Sequence, residues 1–264
     1  HKNRLKKLIQ NEKKIGFVPT MGSIHAGHLS LIKRSTNECD KTIVSIFVNK
    51  GQFNKKEDYK SYPRVIKKDI SMIKKLKIDY LFLPTNKQIY PNGSNKKIKI
   101  IPFAKQLCGK NRPGHFESVV DVVDRFLKII KPNNIYLGQK DFQQLKIIKE
   151  YIKKKKIKTK VIECKTIRDK NGIAYSSRNS LLSNKEKDVA SQVYKLLLKN
   201  KKYLIGKKIK IYELRKNIAK LGVKNIDYIK ILNIDNFSNL RVENKNLRIF
   251  IAYYLGKIRL IDNI

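Results

Sequence analysis

Tryptophan is absent from the 264 residues, and histidine (four), cysteine (three) and methionine (two) are scarce. Long apolar runs are missing too. Ile43–Val48 and Ile249–Leu255 are among the longest, and both are strand-sized against the roughly 20 residues a membrane helix needs. A helical membrane span is thereby excluded, and a soluble chain without a membrane partner is expected. Cys39, Cys108 and Cys164 are odd in number, scattered and without metal-ligand spacing, which argues against a disulfide framework or a cysteine zinc site and fits reduced thiols in a cytoplasm. The Lys/Arg-rich stretch after His1 leads into no long apolar segment, so no secretory signal is expected, and the missing initiator Met leaves a processed or trimmed start open.

Acidic residues are also few, 21 against 61 Lys+Arg, for a formal net charge of +40. Such an excess raises the prospect of nucleic acid or an anionic surface. The excess is mostly lysine, however, spread along the chain and accompanied by abundant Ile and Asn. These residues share A/T-rich codons, so biased mutation accounts for the composition without a selected partner. Base readout and phosphate clamping favour clustered arginine instead, and no specific nucleic-acid partner is expected. The run Lys153–Lys156 reads as the solvated end of a helix.

What is present is alternation. Ile15–Pro19 is a short apolar run followed by a turn and then helical spacing from Leu29, Leu31 and Ile32. Thr42–Asn49 is a second strand, and Val65–Leu76 is helical. Asp79–Leu83 is a third strand, Val119–Ile130 a largely buried helix, Ile135–Leu137 a strand, and Leu145, Ile148 and Ile152 mark one face of a further helix. Strands alternating with helices predict an α/β, Rossmann-like, doubly wound parallel sheet, with ligands beyond the carboxyl ends of the strands. Met21–His28, Asn49–Phe53 and Gly138–Gln144 each leave such an end and are expected to share one crevice.

After the strand Val161–Ile167, the cluster Asp169–Gly172 marks a turn, placing a Rossmann-like domain at 1–167 and a smaller α+β domain at 168–264. Ser183 with Glu186 reads as a capping box opening a helix toward Tyr203. A helix at Tyr212–Leu221 closed by Gly222 precedes strands at Tyr228–Leu232, Leu247–Leu255 and Ile258–Ile261, a pattern predicting an antiparallel sheet.

The scarce histidines are concentrated: His25 and His28 stand three apart in His-Ala-Gly-His, directly after a strand and at a helix start. Free backbone N–H groups and the helix dipole favour an anion there, and glycines permit close backbone approach. Both imidazoles would share a face and donate to phosphate oxygens.

HAGH resembles the His-x-Gly-His signature of the nucleotidylyltransferase superfamily. The longer VPTMGSIHAGH is similar to the pantothenate synthetase family, as are SIFVNKGQF with YPR, RPGHF, YLGQKDFQQL, SSRN and RLIDN, in order along nearly the whole chain. The resemblance implies that pantoate is condensed with β-alanine using ATP, through a pantoyl adenylate, with release of pyrophosphate and then AMP. It also implies a homodimer. By resemblance, Met21, Gly22, His25 and His28 hold ATP together with Gly138, Lys140, Asp141, Ile167, Tyr175, Ser176, Ser177 and Arg178. His28 is the leading candidate for general acid or phosphate donor, with His25, Lys140 and Arg178 beside it in catalysis. Asp141 would sit near Mg2+, and Ile167 would offer a backbone contact to adenine. Gln52 and Gln144, with Asn49 and Arg112, would bind pantoate. Ser176–Arg178 would form a phosphate loop at the domain junction on a moving lid.

His115 reads as structural or supporting, and Gln143 as a helix-surface residue. The chain departs from the family at Lys50 (usually proline), Gln139 (usually glutamate) and Tyr175 (usually smaller or flexible and apolar). These changes are expected to loosen the loop before Gln52, weaken metal binding and narrow the adenine pocket, respectively. Two other readings stand beside this one: a nucleotidylyltransferase or adenylate-forming enzyme with a different acceptor, and a basic RNA- or DNA-binding module.

Overall fold

The computed structural model describes residues 2–9, 14–95, 97–201, 203, 210–235 and 246–264. By internal packing the chain falls into two compact units, His1–Ile167 and Arg168–Ile264. The first unit runs α1 (Lys2–Ile9), β1 (Ile15–Thr20), α2 (Ala26–Glu38), β2 (Lys41–Ile46), α3 (Lys56–Ser61), α4 (Ile66–Lys74), β3 (Tyr80–Phe82), α5 (Asn86–Ile89), α6 (Leu107–Asn111), α7 (His115–Ile130), β4 (Asn134–Gly138), α8 (Phe142–Lys154) and β5 (Lys160–Cys164).

Its five strands lie in the order β3-β2-β1-β4-β5, every pair parallel. Successive strand residues point to opposite faces, and both faces are apolar. Phe17, Ile43 and Ile135 pack with residues of α1, α7 and α8, while their neighbours Val18, Val44 and Tyr136 pack with residues of α2 and α4. That two-sided burial explains why these strands read as continuous apolar runs. The order also places a topological switch point between β1 and β4, where successive connections leave in opposite directions and a crevice opens at the carboxyl ends.

The α/β expectation holds, with shifts at the edges. The second strand stops at Ile46, and Lys50–Gln52 forms a 3-10 turn. The last strand ends at Cys164 rather than Ile167. Helix α7 begins at His115, four residues before the expected Val119, because Gly114 takes a left-handed φ of 76° and reverses the chain there. Lys153–Lys156 are exposed at the end of α8.

The second unit contains α9 (Asn184–Lys201), α10 (Ile211–Lys220), β6 (Asn225–Asn233), β7 (Leu247–Leu255) and β8 (Ile258–Asn263), with the strands antiparallel in sequence order. The Ser183–Glu186 capping box is present: Ser183 N donates to Glu186 Oε2 at 2.8 Å and Glu186 N to Ser183 Oγ at 3.2 Å. The helix it opens stops at Lys201, short of Tyr203. Val193 and Leu197 of α9 and Leu214 and Ile218 of α10 form one core with Ile229, Ile249, Ile251 and Leu260 of the sheet. Arg168 ties the start of the unit to its last strand through two bonds to the Asp262 carboxylate, at 2.6 and 2.8 Å, and its guanidinium lies over the Tyr194 ring.

Close packing of α2 on β1 depends on Gly16. A Cβ there would sit 2.1 Å from Ser35 Oγ and 3.0 Å from Cys39 Sγ, and Ser35 is fully buried against Thr42 Oγ1 at 2.9 Å. Gly16→Ala is expected to destabilise the protein by about 1–3 kcal/mol through overpacking, measured by urea unfolding.

Candidate active site

The turn from β1 into α2 is built from the backbone outward. The Thr20 hydroxyl donates to Ser45 O at 2.7 Å and accepts from Gly22 N at 3.2 Å. Gly22 and Ser23 then take left-handed φ values of 81° and 51°. Any side chain at position 22 would meet Asp69, since a Cβ there falls 2.9 Å from Oδ2. Asp69 lies in α4, is 1% exposed, and accepts from Ser23 N at 2.9 Å and Ile24 N at 2.8 Å. One buried carboxylate thus fixes the approach to the helix by two charge-assisted bonds.

His25 follows as the extended N-cap of α2, with no side-chain cap hydrogen bond. The chain therefore enters the helix without covering its first-turn amides from its own cap, as an anion site requires. The His25 and His28 rings stack with centroids 4.0 Å apart at 24°, so the three-residue spacing does place them on one face. His28 is half-buried, and its Nδ1 is buried without a hydrogen-bond partner among the described residues. Such an orphaned atom is uncommon and fits a polar ligand.

Burial lowers the His25 pKa to about 4, helped by the Lys140 cation and opposed by Asp141. Burial likewise lowers His28 to about 3, with His25 and Lys140 adding to the effect. Without a ligand both rings are therefore neutral at physiological pH. A polyphosphate beside them would raise both values and strengthen their donation to it.

Lys140 comes from the exit of β4, so its electrostatic reach to both histidines joins two of the three expected turns. Its Nζ lies 3.8 Å from Asp141 Oδ2, with Lys140 largely buried and the Asp141 side chain 49% exposed. Gly138 has open space where a Cβ would project. Gln139 donates to Glu163 Oε2 at 3.5 Å. Gln144 is half-buried and has no side-chain hydrogen bond to another described residue. Its neighbour Gln143 is a correction: it is 5% exposed, accepts from Cys108 N at 3.1 Å, and donates to Phe103 O and Gln106 O at 2.9 and 2.8 Å. Expected on the helix surface, it instead braces the 103–108 segment against α8.

The exit of β2 joins the same crevice. Gln52 Nε2 lies 3.1 Å from Sδ of the half-buried Met21, and Gln52 Oε1 accepts from Asn49 Nδ2 at 3.2 Å. The Gln52 carbonyl is held by Arg112 Nη2 at 3.0 Å and His115 Nδ1 at 2.8 Å. His115 is 6% exposed, in keeping with a supporting role. Lys50 is exposed at the start of the same turn, whose last residue, Gln52, these bonds hold. Asn49 is 2% exposed and stands behind Gln52. Asp69, Tyr90 and Ser118, all tied to these turns, were not singled out from the sequence.

In the first unit Ile167 is half-buried. In the second, Tyr175, Ser176, Ser177 and Arg178 are half-buried around a 3-10 turn, Ser177–Leu181, that Ser176 caps by accepting from Arg178 N at 3.3 Å.

Among the described residues no three His, Cys, Asp or Glu side chains cluster as a metal site. Asp141, paired with Lys140 and 49% exposed at its side chain, is the acidic group described at this turn, and a single accessible carboxylate is the kind of oxygen ligand a hard divalent cation takes.

A five-stranded parallel sheet with a His-x-Gly-His turn at its switch point defines an α/β protein with a ligand crevice at the carboxyl ends of its strands. The family described as pantoate-beta-alanine ligase matches residues 1–264. The pantothenate synthetase of Thermosipho africanus is 40% identical over 98% of this chain and 94% of its own length. That of Francisella tularensis subsp. novicida is 43% identical over 96% and 89%. Among solved structures, the pantoate-beta-alanine ligase of Francisella tularensis, complexed with beta-gamma ATP and beta-alanine, has a TM-score of 0.85 at 40% identity, covering 100% of this chain and 95% of that one. The Thermus thermophilus enzyme has a TM-score of 0.91 at 31% identity, covering 100% and 96%. The chain belongs to the pantoate-beta-alanine ligase family.

The lowered histidine pKa values carry a pH signature. Unfolded histidine binds a proton near pH 6.5, whereas folded His25 and His28 do so only at about 4 and about 3. Between those limits the unfolded state holds more protons, so this contribution makes stability rise with pH through the window. On acidification from pH 7 to 4.5, His28→Gln is expected to lose roughly 2–3 kcal/mol less than wild type, checked by urea unfolding at both pH values.

Proposed function

We propose that the protein joins pantoate to β-alanine using ATP. A pantoate carboxylate oxygen attacks the α-phosphorus and pyrophosphate leaves. The β-alanine nitrogen then attacks the pantoyl carbonyl, loses a proton and displaces AMP. The observation that carries this reading is the stacked His25–His28 pair at the switch point, within electrostatic reach of Lys140, in a chain matched end to end by the ligase family.

In this reading Met21, Gly22, His25 and His28 line the nucleotide side of the crevice, with Gly138 leaving room for the phosphates. His28 donates to the α-phosphate, where negative charge grows as pyrophosphate departs, a task for preorganised donors and cations. Because burial keeps the imidazoles neutral, they accept the incoming polyanion first as hydrogen-bond donors and gain proton affinity from it. Lys140 supplies a fixed positive charge. Asp141 would hold Mg2+, which when bound neutralises phosphate charge. Gln52 and Gln144 face pantoate, with Asn49 and Arg112 supporting Gln52.

For Ile167, Tyr175, Ser176, Ser177 and Arg178 the family motif supports a nucleotide role, and for the second unit it supports the role of a lid. A homodimer and a cytoplasmic location belong to the same proposal. No helix among the described residues is long and apolar enough to cross a membrane. A different acceptor acid is disfavoured by the family match over residues 1–264.

The test is AMP release from ATP and Mg2+ with no acid, pantoate alone, β-alanine alone, and both. Sustained AMP with equimolar pantothenate is expected only with both substrates; no AMP from folded protein in any arm would refute the proposal. His28→Ala is expected to lower pantoate-dependent pyrophosphate exchange by about 100-fold or more, with its circular dichroism spectrum unchanged.

A further inference from the structure

Gln52 carries an amide whose two ends are alike in shape and opposite in hydrogen-bonding sense. Which end faces the crevice decides what it can recognise. The polarity can be traced from one backbone carbonyl. Ser118 O only accepts, so the Asn49 side-chain atom 3.1 Å from it is Nδ2. That same Nδ2 lies 3.2 Å from the Gln52 side chain, where it requires an acceptor, Oε1. The other end of Asn49 is then Oδ1, and the Tyr90 hydroxyl 2.9 Å away must donate to it. Asn49 is 2% exposed, so water does not compete for these bonds.

Tyr90 is itself held. The Arg125 guanidinium lies over its ring, 4.5 Å from the centroid, pairs with Asp121 at 2.7 Å, and donates to Ile89 O at 2.8 Å and Gly93 O at 2.9 Å on either side of it. With Oε1 turned back to Asn49, Gln52 Nε2 is left beside Met21 Sδ at 3.1 Å. Thioether sulfur is a weak acceptor, so a substrate oxygen displaces it readily.

We infer that Tyr90 and Ser118 form a polarity lock that acts through Asn49 and makes Gln52 a hydrogen-bond donor only toward the substrate. At that point the site selects a carboxylate, carbonyl or hydroxyl oxygen and rejects an ammonium or amide N–H. Tyr90 and Asn49 are positioning residues in this scheme. The consequence for substrate rests on the proposed role of Gln52 toward pantoate; the lock itself does not.

Two measurements separate these. In the free protein, nuclear Overhauser contacts from the Gln52 side-chain amide protons, assigned with Gln52→Ala, are expected to the Met21 methyl. Contacts from those protons to the Asn49 amide end instead would overturn the lock whatever the enzyme makes. In steady-state kinetics, Tyr90→Phe is expected to raise the pantoate KM about five- to tenfold, with kcat within about twofold and the ATP KM unchanged. Tyr90→Phe added to Gln52→Ala is expected to change nothing further. A wild-type pantoate KM in Tyr90→Phe, or additive effects in the double variant, would also overturn it. Absence of pantoate-dependent AMP in wild type would instead refute the proposed function, and the magnetic resonance arm would then decide the lock by itself.

Discussion

The site is organised by a carboxylate that touches no substrate in the proposed scheme. Asp69, buried in α4, takes the amides of Ser23 and Ile24 and so fixes two successive left-handed residues between β1 and α2. Left-handed φ is costly at Ser23, which has a Cβ, and survives only where surrounding bonds over-determine it. Without that bond pair, the chain would be free to enter α2 at another angle, and the face that carries the two histidines would be aimed elsewhere. The parallel sheet adds the second half of the constraint by setting this turn beside the exit of β4, at the switch point.

Within that frame the charges are arranged by restraint. A net charge of +40 would suggest a site crowded with cations, yet the groups described at the histidine turn are two neutral imidazoles, one lysine and one aspartate, with Arg112 standing apart at the Gln52 carbonyl. Neutral donors hold phosphate oxygens without repelling one another, and they answer an arriving negative charge by gaining proton affinity. The lysines spread along the rest of the chain add a diffuse attraction for anions that salt screens.

Much of this was legible in the residues. The strands β1 and β4 announce themselves by short apolar runs, β2 by its β-branched enrichment, and the His-x-Gly-His turn by its place directly after the first. The antiparallel second unit follows from three strands without intervening helices, and the Ser183–Glu186 box from its spacing. What escaped depends on contacts distant in sequence. Asp69 follows two lysines in a helix and looks like a solvated charge; nothing local shows that it reaches residues 46 and 45 positions earlier. Gln143 reads as surface because helical spacing cannot reveal that the 103–108 segment crosses over it. Tyr90 and Ser118 matter only through Asn49, at separations of 41 and 69 residues. Short helices such as α3, α5 and α6 carry too few turns for a periodicity to emerge.

Phosphate recognition at this turn requires the pair that opens α2 to answer a nucleotide as one unit. With four histidines in the chain, imidazole 15N resonances can be assigned by single substitution and followed at pH 7 as ATP and Mg2+ are added. His25 and His28 are predicted to start as neutral rings and to shift together toward the protonated or strongly donating form, while His115 stays fixed. Saturation with ATP that leaves both rings unmoved would contradict the assignment of this turn to phosphate.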